Sequence, residues 1–375
     1  MRVRLLDLAA QHAEIYPRLL QRLESVLRSG TFILGPEVQR FEREACDFLG
    51  VKHAIGVSCG SDALVVALAA LGIGAGDEVI TTPFSFVATV EAILRVGARP
   101  VFADLGVDSF ELDPVCVERA ITPRSRAILS VPLYGASQIT AQLTQLAQTE
   151  GLPLLEDAAQ AFGARLDGRA LGTFGALGCY SFHPAKPLGA LGDAGLLVTN
   201  DARLAARCAR LRVHGSGSKY AHDELGGNYR LDQLQAAVLS EQLPLLPEWL
   251  AARRRHARRY SEALSGLPDL RLPTHVLECE PSFAQFTLRV RAERRDALRD
   301  FLELHGIESA VHYPLPLHRQ AMLMQRGLGS PLGTFPESER TAQEVLSLPV
   351  HPALTEAELS LVIETTRRFF DGSRS

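Results

Sequence analysis

Four short stretches of this 375-residue chain combine residue types that could do chemistry. Lys186 closes Tyr180-Ser181-Phe182-His183-Pro184-Ala185-Lys186 and is followed by Pro187-Leu188-Gly189-Ala190-Leu191-Gly192-Asp193-Ala194-Gly195. Two prolines stiffen its turn, and a buried strand leading in would partly desolvate the amine. Those conditions lower an amine's pKa and suit it to Schiff-base chemistry. An exposed loop lysine is the competing reading, and the segment alone does not separate the two. Asp157, in Leu154-Leu155-Glu156-Asp157-Ala158-Ala159-Gln160, lies 29 residues before the lysine. A carboxylate at the end of a buried strand needs a cationic partner. A protonated pyridine nitrogen is one, and keeping it protonated makes such a ring an electron sink. Gln160 can donate to a phenolic oxygen on the same ring. The plainer reading of Asp157 is a helix cap.

The third stretch, Val57-Ser58-Cys59-Gly60-Ser61-Asp62-Ala63-Leu64, sets open backbone amides and a hydroxyl at a helix start, which makes a phosphate seat. Asp62 would repel a phosphate unless its side chain turns outward, and an ordinary N-cap competes with this reading. In the fourth, Thr82-Pro83-Phe84-Ser85-Phe86-Val87-Ala88-Thr89, an aromatic at a strand-to-helix turn could stack on a flat ring or simply be core.

These residues need elements to position them. Strands are expected at 54–58, 78–81, 100–104, 127–131, 153–157, 179–182 and 195–199, with helices at 61–71, 86–96, 113–120 and 137–150 between several of them. The rhythm predicts an α/β fold: a large domain whose mainly parallel seven-stranded sheet is sandwiched by helices. Runs such as Ala127–Val131 fit strands buried on both faces. Ligands of such sheets bind beyond the carboxyl ends of the strands, where Ser58–Ser61, Asp157 and Ser181 fall. Helices at 231–242 and 248–264, a strand at 283–290, and helices at 293–305 and 355–370 follow. Pro244 and Pro247 suggest a boundary, giving a cofactor-binding domain over 1–245 and a smaller α+β domain over 246–375.

Composition excludes other classes. With 46% hydrophobic and 22% charged residues and a net charge of −4, nothing favours nucleic acid or an anionic membrane surface. The basic run Arg253-Arg254-Arg255-His256, with Arg258 and Arg259, reads as a solvated helix face. Asp7, Gln11, His12 and Glu14 interrupt any signal core, and Ala63–Gly76 is too short to span a bilayer. Six scattered cysteines without a C-x-x-C pair suit buried, reduced thiols in a cytoplasmic protein, and no metal site is expected.

Together, the order and spacing of these segments resemble the DegT-type sugar aminotransferases, pyridoxal-phosphate enzymes of fold type I. The similarity runs from Phe32-Ile33-Leu34-Gly35-Pro36 to His312-Tyr313-Pro314 and beyond. The resemblance implies that Lys186 carries pyridoxal 5'-phosphate and shuttles the proton, with pyridoxamine phosphate as the amino-bearing form. It implies that Asp157 pairs with the ring nitrogen, Gln160 contacts the ring oxygen, Phe86 stacks, and Gly60, Ser61 and Ser181 hold the phosphate. Gly226-Gly227-Asn228-Tyr229-Arg230-Leu231-Asp232 looks like the segment that reaches a neighbouring subunit's site. There Asn228 would contact phosphate and Arg230 a substrate. His312 and Tyr313 match a segment placed near the sugar nucleotide across the dimer interface, and a site shared by two chains implies a homodimer. Related dehydratases carry histidine in place of the lysine, so Lys186 favours transamination. The implied reaction is a ping-pong transfer from L-glutamate to a keto group of a nucleotide-linked sugar. The run after Lys186 favours C3, whereas Ser181-Phe182-His183-Pro184 resembles members acting at C4, and Ala194 departs from the usual glycine. A keto-cyclitol aminotransferase and a non-catalytic cofactor-binding regulator are the alternatives.

Overall fold

The computed structural model describes residues 2–218, 220–274 and 278–371. Helices α1 (Tyr16–Ser29) and α2 (Pro36–Leu49) lead into β1 (His53–Val57) and α3 (Gly60–Ala70). Then come β2 (Glu78–Thr81), α4 (Ala88–Arg95), β3 (Arg99–Phe102), α5 (Pro114–Ala120), β4 (Ser125–Ser130) and α6 (Thr140–Thr149). Strands β5 (Leu154–Asp157), β6 (Leu177–Ser181) and β7 (Gly195–Thr199) precede α7 (Ala202–Leu211) and α8 (Gln233–Gln242).

The seven strands form one sheet in the order β1-β7-β6-β5-β4-β2-β3. Strands β2 to β6 run parallel, and β7 is antiparallel to both β6 and β1. This is the expected mainly parallel seven-stranded sheet. Its register brings the candidate residues to one edge. Asp157 sits opposite Cys179, Ser181 opposite Gly195, and Gly195 opposite Val57.

Alternation along a strand sends successive side chains to opposite faces. Cys179 of β6 joins the cluster under α3, with Leu64, Leu68 and Leu155. Tyr180 and Phe182 enter the other cluster, with Phe41, Phe162 and Leu239. Both faces of the sheet are therefore covered, as a parallel sheet requires.

The chain continues through α9 (Leu246–Leu264), β8 (Leu270–Arg271), β9 (Phe286–Val290), α10 (Ala292–Leu304), α11 (Pro336–Glu344), β10 (Val345–Leu348) and α12 (Glu356–Asp371). A three-stranded antiparallel sheet, β8-β9-β10, packs with α9, α10 and α12 around Tyr260, Phe286, Leu302 and Phe370. Val3 joins that core and pairs with Ile307, so the amino-terminal segment packs with the carboxyl-terminal elements.

Some elements differ from the sequence expectations. Helices α1, α2, α7 and α11 and strands β8 and β10 were not among them. The strand expected from Phe283 starts at Phe286. Phe283 has φ 44°, and the N–H groups of Ser282 and Ala284 donate to Gly135 and Tyr134 instead of a ladder. The basic run is not wholly a solvated face. Arg253 and His256 are buried on the inner side of α9, with Tyr260 one turn on, while Arg255, Arg258 and Arg259 are exposed. Helical periodicity, rather than residue type, decides which of these cations faces the core. Of the six free cysteines, Cys179, Cys208 and Cys279 are buried, and Cys46, Cys59 and Cys116 half-buried. Among the described residues no helix is long and apolar enough to cross a membrane.

Candidate active site

Beyond the carboxyl ends of β1, β5 and β6 lies a cavity of about 540 Å³. Gly60, Ser61, Phe86, Asp157, Gln160, Ser181, Lys186, His312 and Tyr313 all line it. A larger, more open cleft of about 930 Å³ lies at the opposite ends of the strands, beside Glu78, Arg99 and Arg124, and contains none of these residues.

The turn after β6 presents Lys186. The Phe182 N–H donates to Ala194 O, Ala190 N–H to Phe182 O, and Lys186 N–H to His183 O, each at 2.8 Å. A Cβ at Gly189 would stand 2.5 Å from Pro184 O, so this turn closes only around a glycine. Burial lowers the Lys186 amine from 10.5 to about 8, against the charge of Asp157, which raises it.

Glu156 and Asp157 are neighbours on β5 with different tasks. Glu156 is spent on structure, accepting from the N–H groups of Gly172, Phe174 and Gly175 at 2.7, 2.6 and 2.7 Å. Asp157 points the other way. Its Oδ2 accepts from Thr89 Oγ1 at 2.7 Å, and its Oδ1 accepts from Ala159 N–H at a long 3.4 Å. Burial raises its pKa, partly offset by the Thr89 hydrogen bond. A buried carboxylate with acceptor capacity left over suits the N–H of a protonated ring nitrogen.

Gln160 is oriented by the backbone. The Tyr134 N–H donates to its Oε1 at 2.6 Å. An amide N–H can only donate, so the atom facing Tyr134 must be the oxygen, and Nε2 is left to donate, with Tyr313 Oη 3.3 Å away. This is the geometry expected for a donor to a ring oxygen.

At the start of α3, Cys59 is the N-cap, its Sγ accepting from Asp62 N–H at 3.4 Å. The Asp62 carboxylate is held by its neighbours and does not line the cavity. Ser58 Oγ donates to its Oδ2 at 2.6 Å, and Arg95 to its Oδ1 at 3.1 Å. The first N–H groups of a helix have no intrahelical acceptor and lie at the positive end of its dipole. A Cβ on Gly60 would come within 2.7 Å of Ser181 Cβ, so glycine lets the helix entry and the end of β6 close into one cradle. Ser181 Oγ accepts from His183 N–H at 3.3 Å, which leaves its own proton to donate.

Phe86 is 54% exposed, with its ring centroid 5.9 Å from that of Tyr313. Burial, reinforced by the charge of Lys186, lowers the His312 pKa, and burial raises that of the Tyr313 phenol. Both are thus neutral at pH 7. His312 Nδ1 lies 3.1 Å from Ser347 Oγ. The expectation of a contact across an interface is not needed to bring this pair to the site, because both line this chain's own cavity. Asn228 and Arg230 do not. Asn228 is exposed and bridges Val213, and Arg230 bridges Val57, its Nε without a hydrogen-bond partner among the described residues.

Sequence reasoning missed Ser85, Thr89, Tyr134 and Gln285. The first two lay in a quoted segment but had no visible partner. Tyr134, whose hydroxyl donates to His312 O, carries no local signal. Gln285, on the cavity wall with its Oε1 unpaired among the described residues, sits in an ordinary strand pattern.

The donor set therefore fits a phosphorylated pyridine aldehyde: a lysine of lowered pKa, a buried carboxylate, an amide donor and a helix entry. The model of the DegT/DnrJ/EryC1/StrS aminotransferase family matches residues 14–367. The chain is 44% identical to a protein named pleiotropic regulatory protein from Geobacillus stearothermophilus, over 99% of each chain. It is 42% identical, over 98% of each, to the UDP-N-acetyl-3-dehydro-alpha-D-glucosamine 3-aminotransferase of Acidithiobacillus ferrooxidans. The crystal structure of DesV from Streptomyces venezuelae superposes with a TM-score of 0.95 at 42% identity, covering 99% of each chain.

Proposed function

The chain belongs to the DegT/DnrJ/EryC1/StrS aminotransferase family, and from that premise we propose that it moves the amino group of L-glutamate to the C3 keto group of a nucleotide-linked sugar. It is a pyridoxal-phosphate-dependent enzyme. The observation that carries the reading is the convergence of Lys186, Asp157 and Gln160 on one cavity.

When bound, the cofactor supplies an electron sink for charge developing on the substrate carbon. This chain's residues do the rest. Lys186 Nζ, with a pKa near 8, takes a proton from one carbon and returns it to another near neutral pH. Asp157 would hold the ring N–H in a buried setting, Gln160 Nε2 would donate to the ring oxygen, and the entry of α3 with Ser181 Oγ would hold the phosphate. His312 and Tyr313, both neutral, wall the acceptor side without competing for the phosphate's charge.

The C3 preference is supported by the relative from Acidithiobacillus ferrooxidans, whose name specifies a 3-aminotransferase. The positions of Asn228 and Arg230 outside their own chain's cavity support a homodimer in which each serves the partner's site. A regulatory reading is favoured by the names of relatives alone, such as that of the Geobacillus protein.

The test has two stages. Protein loaded with pyridoxal phosphate is mixed with L-glutamate, and its visible band should bleach as 2-oxoglutarate is released. The aminated protein is then offered matched 3-keto and 4-keto nucleotide sugars, and the product's amino position is read by NMR. Amination of the 4-keto sugar alone overturns the C3 assignment. A band indifferent to glutamate, with no product from either sugar, removes transamination from glutamate and favours the regulatory reading. Lys186→Ala should lose turnover by roughly 10²–10⁴-fold while keeping the fold.

A further inference from the structure

Thr89 occupies the first turn of α4, fully buried, and comes from a different element than the carboxylate it meets. A helical threonine can return its hydroxyl to the carbonyl one turn back. Thr89 instead sends it out of the helix to Asp157 Oδ2 at 2.7 Å. The direction of that bond is settled by chemistry, because an ionised carboxylate only accepts and Thr89 must donate. Its Oγ1 is then an acceptor for Ser85 Oγ, 3.0 Å away. Ser85 is itself 4% exposed and lines the cavity. The protons therefore run one way, from Ser85 to Thr89 to Asp157. Among the described residues, the other carboxylate oxygen has only the 3.4 Å contact from Ala159 N–H.

We propose that Thr89, with Ser85 behind it, is a positioning residue that sets the orientation of the Asp157 carboxylate and keeps it anionic opposite the cofactor's ring nitrogen. The inference rests on the cofactor assignment and not on the donor or the sugar. The branched Thr89 side chain has few rotamers, so the hydroxyl is aimed before any ligand arrives. Without it the carboxylate is free to turn, and its anion loses a charge-assisted hydrogen bond. A carboxylate less stabilised as an anion competes for the ring proton, and the ring nitrogen becomes less protonated.

Wild type, Thr89→Val, Thr89→Ser and Ser85→Ala are compared as purified protein reconstituted with ¹⁵N-labelled pyridoxal phosphate. The readouts are cofactor dissociation constant, ring-nitrogen chemical shift and the melting temperature without cofactor. Thr89→Val should weaken cofactor binding about tenfold or more, the loss expected of a hydrogen bond to a charged group. It should also move the nitrogen resonance toward the unprotonated position. Thr89→Ser should restore both, and Ser85→Ala should move both the same way by less. A Thr89→Val protein that binds cofactor normally with an unmoved resonance overturns the proposal. So does one that only melts earlier, since a packing role would do that alone. Should Thr89→Val fail to fold, Ser85→Ala decides, and an unmoved resonance there overturns it. Failure of glutamate or keto-sugar turnover leaves these readouts intact.

Discussion

Lys186 and Asp157 perturb each other through the same cavity. Burial lowers the lysine to about 8, and Asp157 holds it up from falling further. The unfolded chain therefore binds an extra proton at Lys186 between about pH 8 and 10.5, so the cost of burying the charged amine is full below pH 8 and fades as pH rises through that window. Cofactor-free wild type should accordingly gain stability relative to Lys186→Met across that range, as read by denaturant midpoints. The rate of cofactor capture should climb through pH 8, because only the free amine is nucleophilic. Asp157→Asn should shift that profile to lower pH. A capture profile that rises only near pH 10 would show the amine to be solvated.

At the scale of elements, the site depends on how closely α3 approaches the end of β6. Gly60 is the point of contact, with Ser181 Cβ 2.7 Å from where its own Cβ would be. Gly60→Ala should cost about 1–3 kcal/mol of stability through overpacking. It should weaken phosphate binding as well, because the helix entry must withdraw from Ser181. Calorimetry for stability and inorganic-phosphate competition for the seat would separate the two effects. Unchanged phosphate affinity would place the seat elsewhere. Asp62 belongs to the same argument. The sequence raised a carboxylate beside a phosphate as a difficulty, and it is met by Ser58 and Arg95, which pair that carboxylate, and by its place outside the cavity lining.

At the scale of the whole molecule, one chain brings nine of the eleven expected site residues to its cavity and leaves Asn228 and Arg230 outside. If each serves a partner's site, two inactive variants should complement. A mixture of Lys186→Ala and Asn228→Ala chains, unfolded and reassembled at equal amounts, should recover about a quarter of wild-type activity. Half the dimers are then mixed, and each mixed dimer has one intact site. No recovery would mean that each chain completes its own site.

The sequence alone determined the parts governed by near neighbours. The carboxyl ends of the seven sheet strands fall within two residues of their expected positions, and the proline- and glycine-bounded turn at Lys186 and the helix entry at Gly60 lie where local sterics and periodicity put them. Tertiary structure alone decided the contacts between distant segments. Thr89 meets Asp157 across 68 positions, and Gln160 meets Tyr313 across 153. Tyr134 turns the Gln160 amide, Glu156 is consumed by the loop at 172–175, and Arg253 turns inward. None of these has a local signature, because each depends on which strands lie side by side, and strand order is set by the packing of the whole sheet.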